Sequence, residues 1–292
     1  MGSSPGNEAL KAVAPFLRWA GSKRQILPIL RHFWSDSYKR YVEPFAGSAA
    51  LFFALAPPRA VLGDINSDLM STFKAVRADP DAVFDALRLL PTGEANYYRI
   101  RSTSAGTSTD RAARFIYLNR FCFNGLYRTN KAGAFNVPYG APKNWNIPTA
   151  EQLKTCSALL AKARLTKSDF RATLRDVRQD DFVYLDPPYA TSARRVFVEY
   201  GAAPFSASDL RDLADALRAL SLRGAYFLLS YADCPEVRST LGDWPRRRLL
   251  TRRNVAGFSG ARRNQFEVYI SNIPSFTHIV ARIAKTRRRS VA

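Results

Sequence analysis

Histidine is nearly missing from this chain. His32 and His278 are the two present in 292 residues, which leaves little room for imidazole general-base chemistry or for a His-rich metal site. Cysteine is scarce too: Cys122, Cys156 and Cys234 are odd in number, far apart and without ligand-like spacing. That pattern points to a reducing compartment and argues against zinc and against a disulfide framework. No run of some 18 apolar residues occurs, and the opening MGSSPGNEAL lacks the apolar core of a signal peptide. A soluble cytoplasmic protein is expected. Acids are outnumbered as well, 24 against 44 lysines and arginines, for a net charge of +20. So basic a balance makes nucleic acid the first partner to consider. Arginines cluster late, at Arg246 to Arg248, Arg252-Arg253 and Arg262-Arg263, and the ending KTRRRS reads as a disordered basic tail with affinity for phosphate.

What is there begins with order. GSKRQILPILRHFW has helical spacing, RYVEPFAG reads as a strand breaking into a glycine turn, AALFFALA as a helix and AVLGDIN as a strand ending at an acid. Helical stretches follow to about Arg101, and Asp110 is the expected N-cap of the helix RAARFIYLNRF. From Asn124 to Tyr139 glycines and asparagines alternate with aromatics, the pattern of a hairpin or long loop. Strands resume with ARLTKSDF, DFVYLD, GAYFLLSY and FEVYISN, with the helix SASDLRDLADALRAL among them. This alternation predicts a mainly parallel sheet with helices on both faces, an α/β fold.

Two acids stand at equivalent places: Asp64 ends one apolar strand and Asp186 another. In open α/β sheets ligands bind at the carboxyl ends of the strands, so both acids should face one crevice. The turn EPFAGSAA has a single glycine, Gly47, and makes a poor pyrophosphate cradle. An acid after the next strand still suits ribose hydroxyls. A nucleoside without a diphosphate fits, and S-adenosylmethionine is one.

The segments FLRWAGSKRQIL, VEPFAGSAALFF, GDINSDL, YLNRFCFNGLYRTNKAGAFNVPYG, VYLDPPY, FSASDLRDLADAL and FEVYISN, in this order, resemble the Dam-like DNA N6-adenine methyltransferases over almost the whole chain. Ala49 and Ser22 stand where family members often carry glycine. The resemblance implies a Rossmann-like, S-adenosylmethionine-dependent methyltransferase sheet at 1–68 and 150–292. A mainly helical target-recognition domain with a DNA-reading hairpin would be inserted at 69–149. It also implies double-stranded DNA as substrate, no metal, and a bacterial or phage setting. A separate restriction endonuclease is a candidate partner, and monomer and homodimer both stay open.

By the same resemblance, Trp19, Lys23, Phe45, Gly47, Asp64, Asp169 and Asp186 belong to the cofactor site, with Lys23 near the methionine carboxylate. Asn124, Arg128, Lys131 and Asn136 belong to the DNA-reading hairpin. Read for themselves, Phe45 is equally a core residue, Asp64 a helix cap, and at least two of the hairpin asparagines turn formers. Chemistry supports a catalytic Asp186-Pro187-Pro188-Tyr189. The exocyclic amine of adenine is a weak nucleophile because its lone pair is delocalised into the ring. Asp186 and the Pro187 carbonyl can accept its hydrogens and turn that lone pair outward. Consecutive prolines hold the acceptors rigidly, and Tyr189 can stack on a base rotated out of the duplex. The alternatives are methylation of cytosine N4 or RNA, and a non-enzymatic DNA-binding protein on this scaffold.

Overall fold

The computed structural model describes residues 13–19, 21, 23, 26–104, 106–130, 132–142, 144–188, 205–252 and 264–289, without the side chains of 249–252, 264–266 and 283–289. Tyr189 and Lys131 lie outside the described residues. After a short helix, α1 (Leu27–Leu30), and a 3-10 turn at Arg31–Phe33, the chain enters β1 (Arg40–Glu43), α2 (Ala50–Leu55) and β2 (Ala60–Asp64). Four helices follow: α3 (Ser67–Ala78), α4 (Pro80–Arg88), α5 (Glu94–Ser102) and α6 (Ser108–Phe121). The second half runs α7 (Ala150–Leu160), β3 (Ala163–Lys167), α8 (Phe170–Arg175), β4 (Asp181–Leu185), α9 (Ala207–Leu222), β5 (Tyr226–Ala232), α10 (Pro235–Thr240), β6 (Arg246–Arg252), β7 (Asn264–Ser271) and α11 (Phe276–Arg289).

The strands form one sheet in the order β3-β2-β1-β4-β5-β7-β6. The first five are parallel, and β7 runs antiparallel to both β5 and β6. Side chains alternate across the sheet as strand geometry requires. Tyr41, Leu62, Phe182 and Leu228 join one buried cluster, while Val42, Val61, Val183 and Leu229 join the other. Both faces are covered, which is why β4 is apolar or aromatic through Phe182–Leu185, and the Asp181 carboxylate, buried as well, pairs with Arg40. β1 and β4 are neighbours whose chains leave toward opposite edges. Their carboxyl ends therefore flank the crevice where such sheets bind ligands. No helix among the described residues is long and apolar enough to cross a membrane.

Three expectations change. Thr107, not Asp110, caps α6: its hydroxyl accepts from Asp110 N, while Asp110 returns a hydrogen bond to Thr107 N, a capping box that starts the helix at Ser108. The arginines of 246–252 form edge strand β6 instead of a loose cluster. KTRRRS is helical as far as Arg289. Phe276 and Val280 anchor α11 in the core, and arginine and lysine, good helix formers, propagate it.

Candidate active site

β4 delivers Asp186 at the switch point, followed by the buried Pro187. The position of the carboxylate is set from two sides. Lys23 places its ammonium 2.7 Å from both Asp186 oxygens, and Ser230 of β5 donates to Oδ1 at 3.0 Å. The lysine is itself buried and lies 3.4 Å from Glu267 Oε1 on β7. In side-chain exposure Lys23 stands at 7%, Glu267 at 2% and Asp186 at 22%. The member of this group that meets solvent is Asp186.

A second acid lies under the same floor. Glu43, at the end of β1, is buried and accepts a hydrogen bond from the Tyr41 hydroxyl at 2.9 Å. Burial pushes its carboxyl well above the ordinary glutamate range, and the charges of Asp186 and Asp64 push the same way against that hydrogen bond.

The turn after β1 builds the adjoining wall. Gly47 has φ +48, and a Cβ there would meet Trp19 Cδ1 at 2.8 Å, so the ring lies directly on bare backbone. Gly47 N donates to Asp64 Oδ2 at 3.0 Å, and Asn66 N donates to Oδ1 at 2.9 Å. Asp64 is no helix cap; that role falls to Asn66, whose side chain accepts from Asp68 N and Leu69 N at the start of α3. Burial raises the Asp64 pKa while the backbone donors oppose the rise. Ala49 also stands in the left-handed region, at φ +51 and ψ 39, which explains why glycine suits this position.

Phe45 is half-buried, stacked on Phe170 at 5.3 Å and edge-on to Phe205 at 6.1 Å, an aromatic side to the crevice. Asp169 caps α8 through Arg171 N and pairs with the Arg171 guanidinium, which also reaches Asp209 and Asp212. This arrangement fits a nucleoside-bearing sulfonium. The Trp19 ring covers Gly47 closely, Asp64 is a fixed carboxylate with lone pairs to spare, and Lys23 is flanked by Asp186 and Glu267. Among the described residues no group of three or more His, Cys, Asp or Glu is placed to hold a metal ion.

The expected hairpin is present: Cys122 bridges to Tyr139 and Thr129 to Phe135, both antiparallel. Arg128 crosses it, donating from Nε to Asn136 Oδ1 at 2.8 Å. Asn130 is a turn former whose Oδ1 accepts from Ala132 N and Ala134 N, and the exposed Asn124 holds φ +53. The hairpin is tied to the wall formed by Trp19. Tyr127 stacks on Trp19 at 6.0 Å, and Asn119 of α6 clamps the Arg18 backbone, accepting from its N at 2.8 Å and donating to its O at 2.7 Å.

Residues 19–254 match the family model described as D12 class N6 adenine-specific DNA methyltransferase. The chain belongs to that family. This methyltransferase is 32% identical over 269 residues to the type II methyltransferase M1.LlaDCHI of Lactococcus lactis subsp. cremoris, covering 88% of this chain and 95% of that one. It is 37% identical over 242 residues to type II methyltransferase M.MjaIII of Methanocaldococcus jannaschii, covering 75% and 84%. A DNA adenine methylase of Haemophilus influenzae is 33% identical over 214 residues, covering 70% and 74%.

A DNA adenine methyltransferase of this family takes its methyl group from S-adenosylmethionine and acts on DNA. Within the methyltransferase the structure brings Lys23 onto Asp186 and Trp19 onto Gly47, and joins Gly47 to Asp64 by a hydrogen bond. Asp169 caps α8 next to Ser168, whose N donates to the Asp64 carbonyl, and the hairpin meets Trp19 through Tyr127. Sequence reasoning missed Glu43, Ser230, Glu267, Asn119 and Tyr127. For Glu267 a signal existed, an acid in the middle of the apolar strand FEVYISN.

Proposed function

We propose that this methyltransferase modifies N6 of an adenine rotated out of duplex DNA, with Asp186 and the Pro187 carbonyl accepting the amine hydrogens and Tyr189 stacking on the base. The observation that carries this is the Asp186 carboxylate itself: partly open to solvent at the mouth of the crevice, while Lys23 and Ser230 fix its orientation from below. A preorganised acceptor needs no rearrangement as charge develops on the nitrogen. Two adjacent prolines add a second acceptor without a competing N–H donor.

Trp19, Lys23, Phe45, Gly47, Asp64 and Asp169 would hold the cofactor. Asp64 receives ribose hydroxyls, Trp19 and Phe45 offer apolar walls, and Lys23 stands within reach of a carboxylate. S-adenosylmethionine, when bound, supplies an activated methyl group on a sulfonium. In this reading residues 69–149 form the recognition domain, and 1–68 with 150–292 the catalytic one. Arg128 takes a guanine edge in the major groove, with Asn124, Lys131 and Asn136 beside it. Asn136 aligns the Arg128 fork in advance.

The experiment is direct. Purified protein is incubated with S-adenosylmethionine and with duplex DNA or RNA, the nucleosides are identified by mass spectrometry, and the modified positions are mapped by sequencing. N6-methyladenine at one short sequence in DNA is the expected product. N4-methylcytosine, or a product in RNA alone, would replace this reading with one of its alternatives.

A further inference from the structure

Tyr184 has no part in the reading above. It is a large side chain on β4 with a polar tip, 2% exposed, two residues before Asp186. Alternate residues of a strand share a face, so Tyr184 and Asp186 point the same way. The register carries Ser230 to that face as well, because Tyr184 lies opposite Leu228 and Ser230 is two residues further along β5. Three polar groups then meet in the core. The Tyr184 hydroxyl lies 3.2 Å from Ser230 Oγ, which in turn lies 3.0 Å from Asp186 Oδ1 and 3.4 Å from the Leu185 carbonyl.

The hydroxyl hydrogens order this relay. Ser230 has one to give and three oxygens within reach of it. A buried hydroxyl that donates to nothing costs free energy, and among the described residues the partner of the Tyr184 hydroxyl is Ser230. Tyr184 therefore donates to Ser230. Burial first, and after it the charge of Asp186, holds the phenol pKa well above its ordinary value, so that hydrogen stays in place. The Ser230 hydrogen is left for the oxygens ahead of it, and the charged, nearer Asp186 Oδ1 prevails over the Leu185 carbonyl. The two Asp186 oxygens become unequal. Oδ1 accepts from Lys23 and from Ser230, which fills its two lone-pair sites, whereas Oδ2 accepts from Lys23 alone among the described residues.

We propose that Tyr184 and Ser230 are a positioning pair for the transfer step: Tyr184 directs the Ser230 hydroxyl onto Asp186 Oδ1, and the filled Oδ1 reserves Oδ2 for the base amine. This rests on the reading of Asp186 given above. Ser230→Ala removes the donor to Oδ1, and its kcat should fall roughly tenfold. Tyr184→Phe loosens the Ser230 hydroxyl and should cost about threefold. In the double variant Tyr184 has nothing left to act through, so the kcat should match that of Ser230→Ala and not the product of the two losses. Stability should run the other way. Ser230→Ala strands the buried Tyr184 hydroxyl and lowers Tm, and the double variant, with both polar groups gone, should recover most of that loss. KM for S-adenosylmethionine, and the calorimetric Kd for cofactor and for DNA, should stay within about threefold of wild type throughout.

A kcat that recovers with Tm in the double variant overturns the proposal, as do losses that multiply, a loss confined to KM, or wild-type kcat in either folded single variant. Should Ser230→Ala fail to fold, the double variant carries the same measurement, and its kcat must lie about tenfold below wild type. Asp186→Ala separates the two layers. If that variant still transfers methyl groups, the Asp186 assignment fails and the pair loses its role with it. If it is inert while Ser230→Ala is as fast as wild type, the proposal for the pair alone fails.

Discussion

The crevice and the hairpin are built by opposite means. Asp186 is held by Lys23 and Ser230, residues 163 and 44 positions away, whereas the tip of the hairpin carries contacts only four and eight positions apart, Asn130 with Ala134 and Arg128 with Asn136, and its base is anchored by Tyr127 to Asp68 and by Val137 to Tyr97. Lys23 and Glu267 are buried, while Asn124 and Asn130 are exposed. Long-range, buried contacts fix a carboxylate in one place because the whole core must move to displace it. Local turns at the hairpin tip can change without disturbing that core. Chemistry common to a family belongs on the first kind of support, and site preference on the second.

The sharpest way to break this contrast is at Asp186. Asp186→Ala should leave a folded protein with turnover reduced by about 3–4 kcal/mol of transition-state stabilisation, measured as single-turnover methyl transfer. Retained activity would mean that the buried supports serve stability alone. Next comes the cofactor wall. Asp64→Ala should weaken S-adenosylmethionine binding by roughly 1.5–3 kcal/mol, about tenfold to over a hundredfold, with DNA affinity little changed; titration calorimetry checks both. An equal loss of DNA affinity would blur the division between the regions.

On the hairpin, Arg128→Ala should cost about 1–3 kcal/mol on the cognate site and relax preference at one base pair. Rates on a panel of single-base variants, at several salt concentrations, read this out. A uniform loss across the panel, with the salt slope reduced by about one, would turn Arg128 into a phosphate contact.

The smallest effect concerns Glu43. Its folded pKa is raised, so the stability it contributes is complete below the unfolded glutamate pKa and declines as pH rises toward the folded value. Glu43→Gln cannot lose a proton, so its stability relative to wild type should improve as pH rises from 5 to 6. Urea unfolding at both pH values tests the sign. A flat difference would show Glu43 charged in the fold.

Asp186 was readable because an apolar strand ran directly into its acid and two prolines, and Asp64 because another strand ended the same way. Their partners were not readable. Nothing near Lys23 or Glu267 in the chain hints that β7 returns beside β5, since that pairing is a matter of topology and not of local pattern. β6 went unseen because arginines at 246–248 hide a strand that draws its order from its ladder with β7. The start of α6 was misplaced because Thr107 and Asp110 are both good capping residues, and their reciprocal hydrogen bonds decide the matter. The hairpin was visible in outline, from its glycines and asparagines, but the pairing of Arg128 with Asn136 requires a register that composition does not specify.

The clamp between Asn119 and Arg18 bears on how new specificities could be made by grafting. A donor segment spliced in across 122–142 would leave the amide of Asn119 in place but would remove Tyr127, which stacks on Trp19. A larger cassette beginning at α6 would remove the Asn119 amide too and leave the Arg18 N–H and carbonyl without it, so it would also disturb the Trp19 wall. Tyr127 and Asn119 are therefore the two residues that a graft has to carry over.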